Sequence, residues 1–289
     1  MSFEITTAFV HQFRNNITML SQQKGSRLAG AVTHESITGT HGFVEQIGST
    51  ETQTRTSRHG DSPLVSTPHE RRRINLDSEE WGDLVDNQDK VRMLIDPTSQ
   101  YAMNAGWAFG RTKDDKIIAA ATGAALTGTD GTTSTSLPSS QKVAVGGEGL
   151  SVQKLIDTAS IFGINDVDPD EQKYFVCSQK QLDDLLAIEK VTSADYSTVK
   201  ALAHGKINSY MGFEFIRTQR LTLTVATDVR TCFAFVKSGL ALGVGSDVVT
   251  RISERADKAY STYVYAKMDV GAARLEEEKV VEVMCDESP

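Results

Sequence analysis

The longest stretch with a single hydrophobic period predicts one long helix over residues 97–122. Tyr101, Ala105 and Phe109 recur every four residues, which is the spacing of one face of an α-helix. Pro97 suits the first helical turn, where its missing N–H would have no partner in any case. About 25 residues with a rise of about 1.5 Å each make a rod of about 37 Å. We expect the rest of the chain to be arranged around this helix.

Two glycines, Gly106 and Gly110, interrupt the predicted helix. Each costs a helix about 1 kcal/mol relative to alanine, so their presence suggests that another backbone approaches closely. A plain core helix that tolerates both glycines is the alternative interpretation. Residues 111–116 are too charged for a bilayer, which excludes a membrane-spanning role for this segment.

A long polar hairpin is predicted ahead of the helix. Threonine occupies every second position as Thr50, Thr52, Thr54 and Thr56, which is the period of a β-strand. A turn follows at residues 59–63 and a second extended run at residues 64–76. Because a two-stranded polar ribbon is marginal alone in water, it needs support from outside its own fold. A disordered polar loop is the alternative.

The start of the chain predicts a short amphipathic helix over residues 6–23. Phe9, Phe13, Ile17 and Leu20 recur at helical spacing, with polar residues on the other side. The apolar stripe needs a partner, which is either the body of the same chain or a neighbouring copy.

The rest of the chain carries the mixed signals of an α+β fold. Residues 127–140 are rich in glycine, serine and threonine and predict a loop. The pattern then predicts helices over residues 152–162, 179–188 and 196–203, and strands over residues 173–177, 213–217, 231–236, 262–270 and 279–284.

Bulk composition narrows the class of protein. The chain has 289 residues, a net charge of -8 and 39% hydrophobic residues, which are ordinary values for a folded soluble protein. The longest basic run is residues 71–73, so a free-standing nucleic-acid binder is disfavoured. Cys177, Cys232 and Cys285 lie far apart and are expected to be reduced, buried thiols. We expect no signal peptide, because the first residues lack a basic start and an apolar core.

The motifs of common catalytic sites are missing from the sequence, which has no GxSxG, HExxH or Walker loop. Asp166, Asp168 and Asp170 begin like a calcium loop and are weak metal candidates. Glu171 stands where such a loop needs glycine, and Cys177 where it needs a bidentate glutamate, so a solvated turn is the better interpretation.

Glycine-rich residues 145–150 precede a predicted helix and form a weak candidate for an anion site. They do not match GxGxxG, so we interpret them as a flexible junction. The six histidines show no metal-binding spacing. We therefore expect no catalytic residue and no cofactor, with a soluble metal- or nucleotide-dependent enzyme kept as an alternative.

One passage carries a resemblance to a known family. A predicted helix within residues 193–203 is followed by Gly205-Lys206-Ile207, a short gap, Gly212-Phe213 and an extended run to residue 221. This passage, together with the order of polar hairpin, long helix and mixed region, resembles the major capsid proteins of tailed bacteriophages with the Hong Kong 97-type fold. About thirty residues carry the motif-level likeness, and the order of elements covers nearly the whole chain.

The resemblance implies a structural protein that self-assembles through pentamers and hexamers into an icosahedral head around double-stranded DNA. Portal, scaffolding and decoration proteins would be its partners, the virion its location, and the host cytoplasm its place of assembly. A cellular nanocompartment shell of the same fold is the alternative. The implied parts are an N-terminal arm (1–34), an extended loop (35–76), a peripheral domain (77–140 and 240–289) with spine helix 97–122, and an axial domain (141–239).

Two departures from the family pattern shape the expectation. No lysine occurs between Lys24 and Lys90, so the covalent cross-link that some members form from this loop should be absent and the shell held non-covalently. The first 34 residues leave no room for a long cleaved scaffolding segment, so we expect that any scaffold is a separate protein or that none is used.

The resemblance also suggests how neighbouring copies are held together. We hypothesise that basic residues of the loop meet acidic residues near the end of an adjacent copy, each exposed pair contributing about 0.2–1 kcal/mol. The basic candidates are Arg55, Arg58, Arg71, Arg72 and Arg73, and the acidic ones are Glu276, Glu277 and Glu278. A solvated run of charges is the alternative for any one pair.

Overall fold

The computed structural model describes residues 21–58, 60, 62, 64–85, 98–188 and 209–288. It is an α+β fold with three sheets and one long helix, which packs against the first of these sheets. Phe9 and Phe13, the predicted helix over residues 196–203, and most of the passage that carried the resemblance lie outside the described residues.

The long helix α1 covers Thr98–Thr122, which confirms the helix predicted over residues 97–122. Its buried stripe includes Ala105, Phe109 and Ile117, each at most 3% exposed. This stripe belongs to a core that also contains Ala266 and Met268. The four-residue period therefore marked the packed face correctly. Among the described residues, no helix is long and apolar enough to cross a membrane.

The first sheet joins distant parts of the chain. It contains β1 (Thr33–Ser36), β4 (Asp77–Val85), β13 (Leu240–Arg255) and β14 (Ser261–Arg274), in the order β1-β13-β14-β4. β1 is parallel to β13, and the other pairs are antiparallel. The prediction covered only residues 262–270 of this sheet and missed both β4 and β13.

The second sheet contains the predicted hairpin in a shorter form. Its strands are β2 (His41–Ile47), β3 (His69–Asn75), β5 (Ala125–Thr127) and β6 (Thr133–Thr135), in that order across the sheet. Residues 50–57 form no strand within their own chain, so that prediction is wrong, as is strand structure at residues 64–68. Residues 127–140, predicted as a loop, contain β6 and a short 3₁₀ turn at Ser139–Gln141.

The third sheet forms the largest core. Its seven strands are β7 (Lys142–Val143), β8 (Lys173–Cys177), β9 (Ser209–Tyr210), β10 (Phe213–Arg217), β11 (Leu223–Thr224), β12 (Val229–Val236) and β15 (Val280–Asp286). Helices α2 (Val152–Ile164) and α3 (Gln179–Ala187) accompany it. Here the predicted elements are confirmed to within a few residues. The three cysteines are free and buried in this sheet, as expected.

Candidate assembly interface

The β2–β3 hairpin is a regular ladder with an exposed connection. Its register runs from His41 opposite Asn75 to Ile47 opposite His69. Arg71 forms an ion pair with Glu45 at 2.5 Å, and its guanidinium lies 4.9 Å from the centre of the Phe43 ring. Beyond this ladder the chain leaves the sheet, and residues 48–58 are exposed at every position. The hairpin is therefore paired as a regular ladder at its base, whereas residues 48–58 beyond the ladder are exposed.

A buried ion pair fixes the base of the hairpin. Arg72 donates two hydrogen bonds to the carboxylate of Glu277, at 3.1 and 2.6 Å, and a third to Gln46. The side chains of Arg72 and Glu277 are only 6% and 10% exposed. Gln46 in turn donates to the carbonyl of Leu275 at 3.0 Å. Such paired, hydrogen-bonded charges are the form in which ions are tolerated away from water.

Arg274 extends this network to the end of the long helix. It is fully buried and donates to the carbonyls of Ala121 and Gly123 at 3.1 and 2.6 Å, and to that of Thr135 at 3.1 Å. The Ala121 carbonyl is among those that an α-helix leaves without partners at its C-terminal end, and Gly123 directly follows the helix. Burial lowers the pKa of Arg274, and the carboxylate of Glu277, 3.6 Å from its Nε, opposes that shift. The hairpin is thus attached to the C-terminal end of α1.

These contacts correct the hypothesis that pairs this loop with an adjacent copy. Arg72 and Glu277 satisfy each other within one chain, because the fold brings positions 205 residues apart together. Arg71 pairs with Glu45, and Glu276 pairs with Lys279 at 2.9 Å. Four of the eight candidate residues therefore have an intrachain ion pair. Arg55 donates to the nearby Ser57 carbonyl. Arg55, Arg58, Arg73 and Glu278 remain candidates for contacts with an adjacent copy.

Residues 23–28, within the segment predicted as the N-terminal arm, are hydrogen-bonded to α1. Asp114 is fully buried and accepts the backbone N–H groups of Arg27 and Leu28 at 3.0 to 3.1 Å. The Gln23 amide and the Ser26 hydroxyl donate to the same carboxylate, each at 2.5 Å. Several N–H donors on one carboxylate are a strong, directional attachment. One feature of the sequence marks this residue, namely a carboxylate within the apolar period of a predicted helix.

Gly110 makes this attachment possible. A Cβ atom at Gly110 would lie 2.4 Å from the carbonyl carbon of Gly25, whereas one at Gly106 would meet none of the described residues within 4 Å. The expected close approach of a second backbone is therefore confirmed at Gly110, and no described backbone approaches Gly106.

Residues 145–150 are held in place, contrary to the interpretation as a flexible junction. The ammonium of the buried Lys154 donates to the carbonyls of Val145, Glu148 and Met284 at 2.7 to 2.8 Å. Gly146 and Gly147 adopt φ values of +60° and +68°, which favour glycine. Lys154 therefore ties this loop to β15, and its donors are engaged by carbonyl oxygens.

Two of the three weak metal candidates line an acidic cleft beside the hairpin. Asp166 and Asp168 share this cleft of about 1380 Å³ with residues 276–279 and with both hairpin strands. The Asp168 carboxylate accepts the N–H of Asp170 at 2.9 Å, a local turn. No group of three or more possible metal ligands converges among the residues with described positions.

Comparison with known proteins gives a consistent family. The family model described as phage capsid protein matches residues 5–287. No curated protein sequence matches the chain. Among solved structures, the capsid of cyanophage P-SCSP1u has 16% identity and a TM-score of 0.76 over 98% of this chain and 95% of that one. The capsid of a native GTA particle has 15% identity and a TM-score of 0.70 over 96% of each chain. The capsid of Ralstonia phage GP4 has 10% identity and a TM-score of 0.69 over 97% of each.

The chain belongs to the phage capsid protein family, because that family's model covers nearly all of it. Its fold is the Hong Kong 97-type capsid fold that the resemblance implied. Within the family it is a bacteriophage major capsid protein, a structural protein that assembles with its own copies into the shell of the virion. The match does not favour the nanocompartment alternative.

Proposed function

We propose that the protein forms the shell of a tailed-phage head from pentamers and hexamers that enclose double-stranded DNA. The copies are held without covalent cross-links, in keeping with the lysine-free stretch between Lys24 and Lys90. A net charge of -8 is consistent with a container wall, because such a wall does not need to bind the packaged DNA tightly. In this proposal the chain has no catalytic role, and particles assemble in the host cytoplasm.

The hairpin is the observation that carries this proposal. Its base is fixed to α1 through buried Arg72, Glu277 and Arg274, while residues 48–58 beyond the ladder are exposed throughout. A rigid base with an exposed polar end fits an arm that reaches a second copy. Exposed contacts are individually weak, so strength would come from their repetition around a closed lattice.

In this proposal each part of the fold has its own role in assembly. Residues 35–76 lie over a neighbouring subunit as the extended loop, and residues 141–239 meet their copies around the symmetry axes. Residues 77–140 and 240–289 form the peripheral domain, and residues 1–34 the arm, with Phe9 and Phe13 as its contacts. Portal, scaffolding and decoration proteins are further partners in this proposal.

The proposal is tested by replacing residues 50–57 with a glycine-serine linker of equal length. These residues are exposed in the subunit, so circular dichroism and thermal unfolding of the unassembled protein should match the wild type. Sedimentation and negative-stain microscopy should show particles for the wild type and only small oligomers for the variant. Normal particles from the variant would contradict the proposed role of the loop.

A further inference from the structure

One strand of the first sheet has an open edge. β1 covers β13 only from Ala241 to Val244. From residue 249 to Arg255, β13 pairs with β14 on one side and with no described strand on the other. All seven of these residues are exposed. Every second residue of such an edge points its N–H and C=O out of the sheet, which makes the edge a template for another strand.

A segment with the pattern of a strand lacks a partner in the same subunit. Residues 50–57 alternate threonine, a residue that favours strands, with other polar residues. They form no strand with the described part of their own chain, and every one of them is exposed. A segment that has the side-chain period of a strand but is not paired in a sheet has backbone N–H and C=O groups available to pair with another strand.

We propose that residues 50–57 of one copy add as a strand to the open edge of β13 in a neighbouring copy. This inference rests on the proposed function, because it requires copies side by side. Eight residues span about 26 Å and the seven-residue edge about 23 Å at about 3.3 Å per residue, so the two lengths match. Main-chain hydrogen bonds would supply the attachment, as in other cases where a peptide extends a sheet.

The side chains of the two segments suit each other. Val249 and Ile252 are 39% and 55% exposed on opposite faces of the edge strand, and the threonine face of residues 50–57 would cover one of them. Both segments carry charges of both signs, Glu51 and Arg55 on one and Arg251, Glu254 and Arg255 on the other. Opposite charges across a strand pair contribute modestly and like charges oppose pairing, so charge would help to select the register.

The opposite edge of the same sheet is the alternative site, and it fits less well. β4 carries Asp77, Glu79, Glu80 and Asp83, a single sign of charge that would oppose Glu51. Two of its carboxylates, those of Asp77 and Glu79, are engaged by Lys116 at 2.6 and 3.0 Å. The β13 edge is therefore the assigned site, and β4 supplies the control.

Disulfide trapping in assembled particles tests the proposal. Single cysteines are placed in turn at each of positions 50–57 in a Ser253→Cys background, and in a matched Asp83→Cys background on the β4 edge. Both background positions are exposed, and the native thiols are buried and should not interfere. Mild oxidation followed by non-reducing electrophoresis then counts cross-linked copies.

Strand addition predicts that cross-linking along positions 50–57 follows the two-residue period of a β-strand. The position opposite Ser253→Cys should cross-link most strongly, positions two residues away should cross-link weakly or not at all, and adjacent positions should not cross-link. Successive side chains point to opposite faces, and a disulfide joins residues whose Cα atoms are at most about 6.8 Å apart. Particles that show no cross-links, cross-links without alternation, or cross-links to Asp83→Cys instead would overturn the strand inference alone. If the wild-type protein forms no particles, the proposed function itself fails, and the inference with it.

Discussion

Removing the carboxylate of Glu277 should destabilise the subunit strongly. In Glu277→Ala, Arg72 loses two hydrogen bonds in a site where its side chain is 6% exposed, and Arg274 loses its neighbouring negative charge. Deleting one partner of a buried ion pair costs about 3–5 kcal/mol, because the other charge stays buried without compensation. Since the whole free energy of unfolding of a domain is about 5–15 kcal/mol, this loss is a large share of it.

Urea unfolding of unassembled subunits, followed by circular dichroism, measures this loss. The matched control is Glu45→Ala on the same hairpin, which deletes a pair whose side chains are 36% and 59% exposed. It should cost at most about 1 kcal/mol. The double variant Arg72→Met/Glu277→Met should lose less than the sum of its two single variants, because neither charge is left unpaired. A loss for Glu277→Ala no greater than the control's would refute the reasoning.

Three further predictions follow from single contacts. Gly110→Ala should lower the melting temperature, because its Cβ would meet the backbone at Gly25, while Gly106→Ala, with open space, should be neutral or stabilising by up to about 1 kcal/mol in thermal unfolding. Burial raises the pKa of Cys177, so a thiol reagent should label it only after unfolding, as mass spectrometry would report; labelling of the native protein would contradict this. Burial alone would raise the pKa of Glu287, but hydrogen bonds, above all from Arg230, outweigh it and lower the pKa from 4.5, so its contribution to stability is present at neutral pH and lost in acid. Glu287→Gln should therefore weaken the protein at pH 7 and reduce its loss of stability below pH 4.5, and a pH dependence equal to the wild type's would count against this.

Elements with a strong local period could be predicted from the sequence. The α1 helix, β8 and β10 follow from apolar residues at helical or strand spacing, and the structure places them within a residue or two. β13 was missed because Gly243, Gly245 and residues 246–247 interrupt its apolar period. The structure resolves this with register shifts against β14 between residues 244 and 249. Pairing with neighbouring strands, rather than the local pattern of apolar residues, determines where such a strand forms.

The base of the hairpin could not be predicted for a different reason. Arg72 and Glu277 stand in runs of like charge, which are usually solvated, and nothing local indicates that one member of each run is buried. Arg274 ends an apolar stretch, and its burial depends on carbonyls contributed by α1 and β6. These contacts form because folding brings distant segments of the chain together, so no local sequence pattern indicates them. The exposed loop, by contrast, is polar as its sequence predicts, although its predicted strand does not form within one chain, and its need for support from a neighbouring copy stays a prediction.

The most direct test of the central claim is electron cryomicroscopy of the purified, expressed protein. The account predicts closed particles with five-fold and six-fold clusters of subunits, in which the extended loop of each copy lies on a neighbour. A stable monomer of 31.5 kDa at high concentration, with residues 48–58 folded against its own body and no particles, would contradict it.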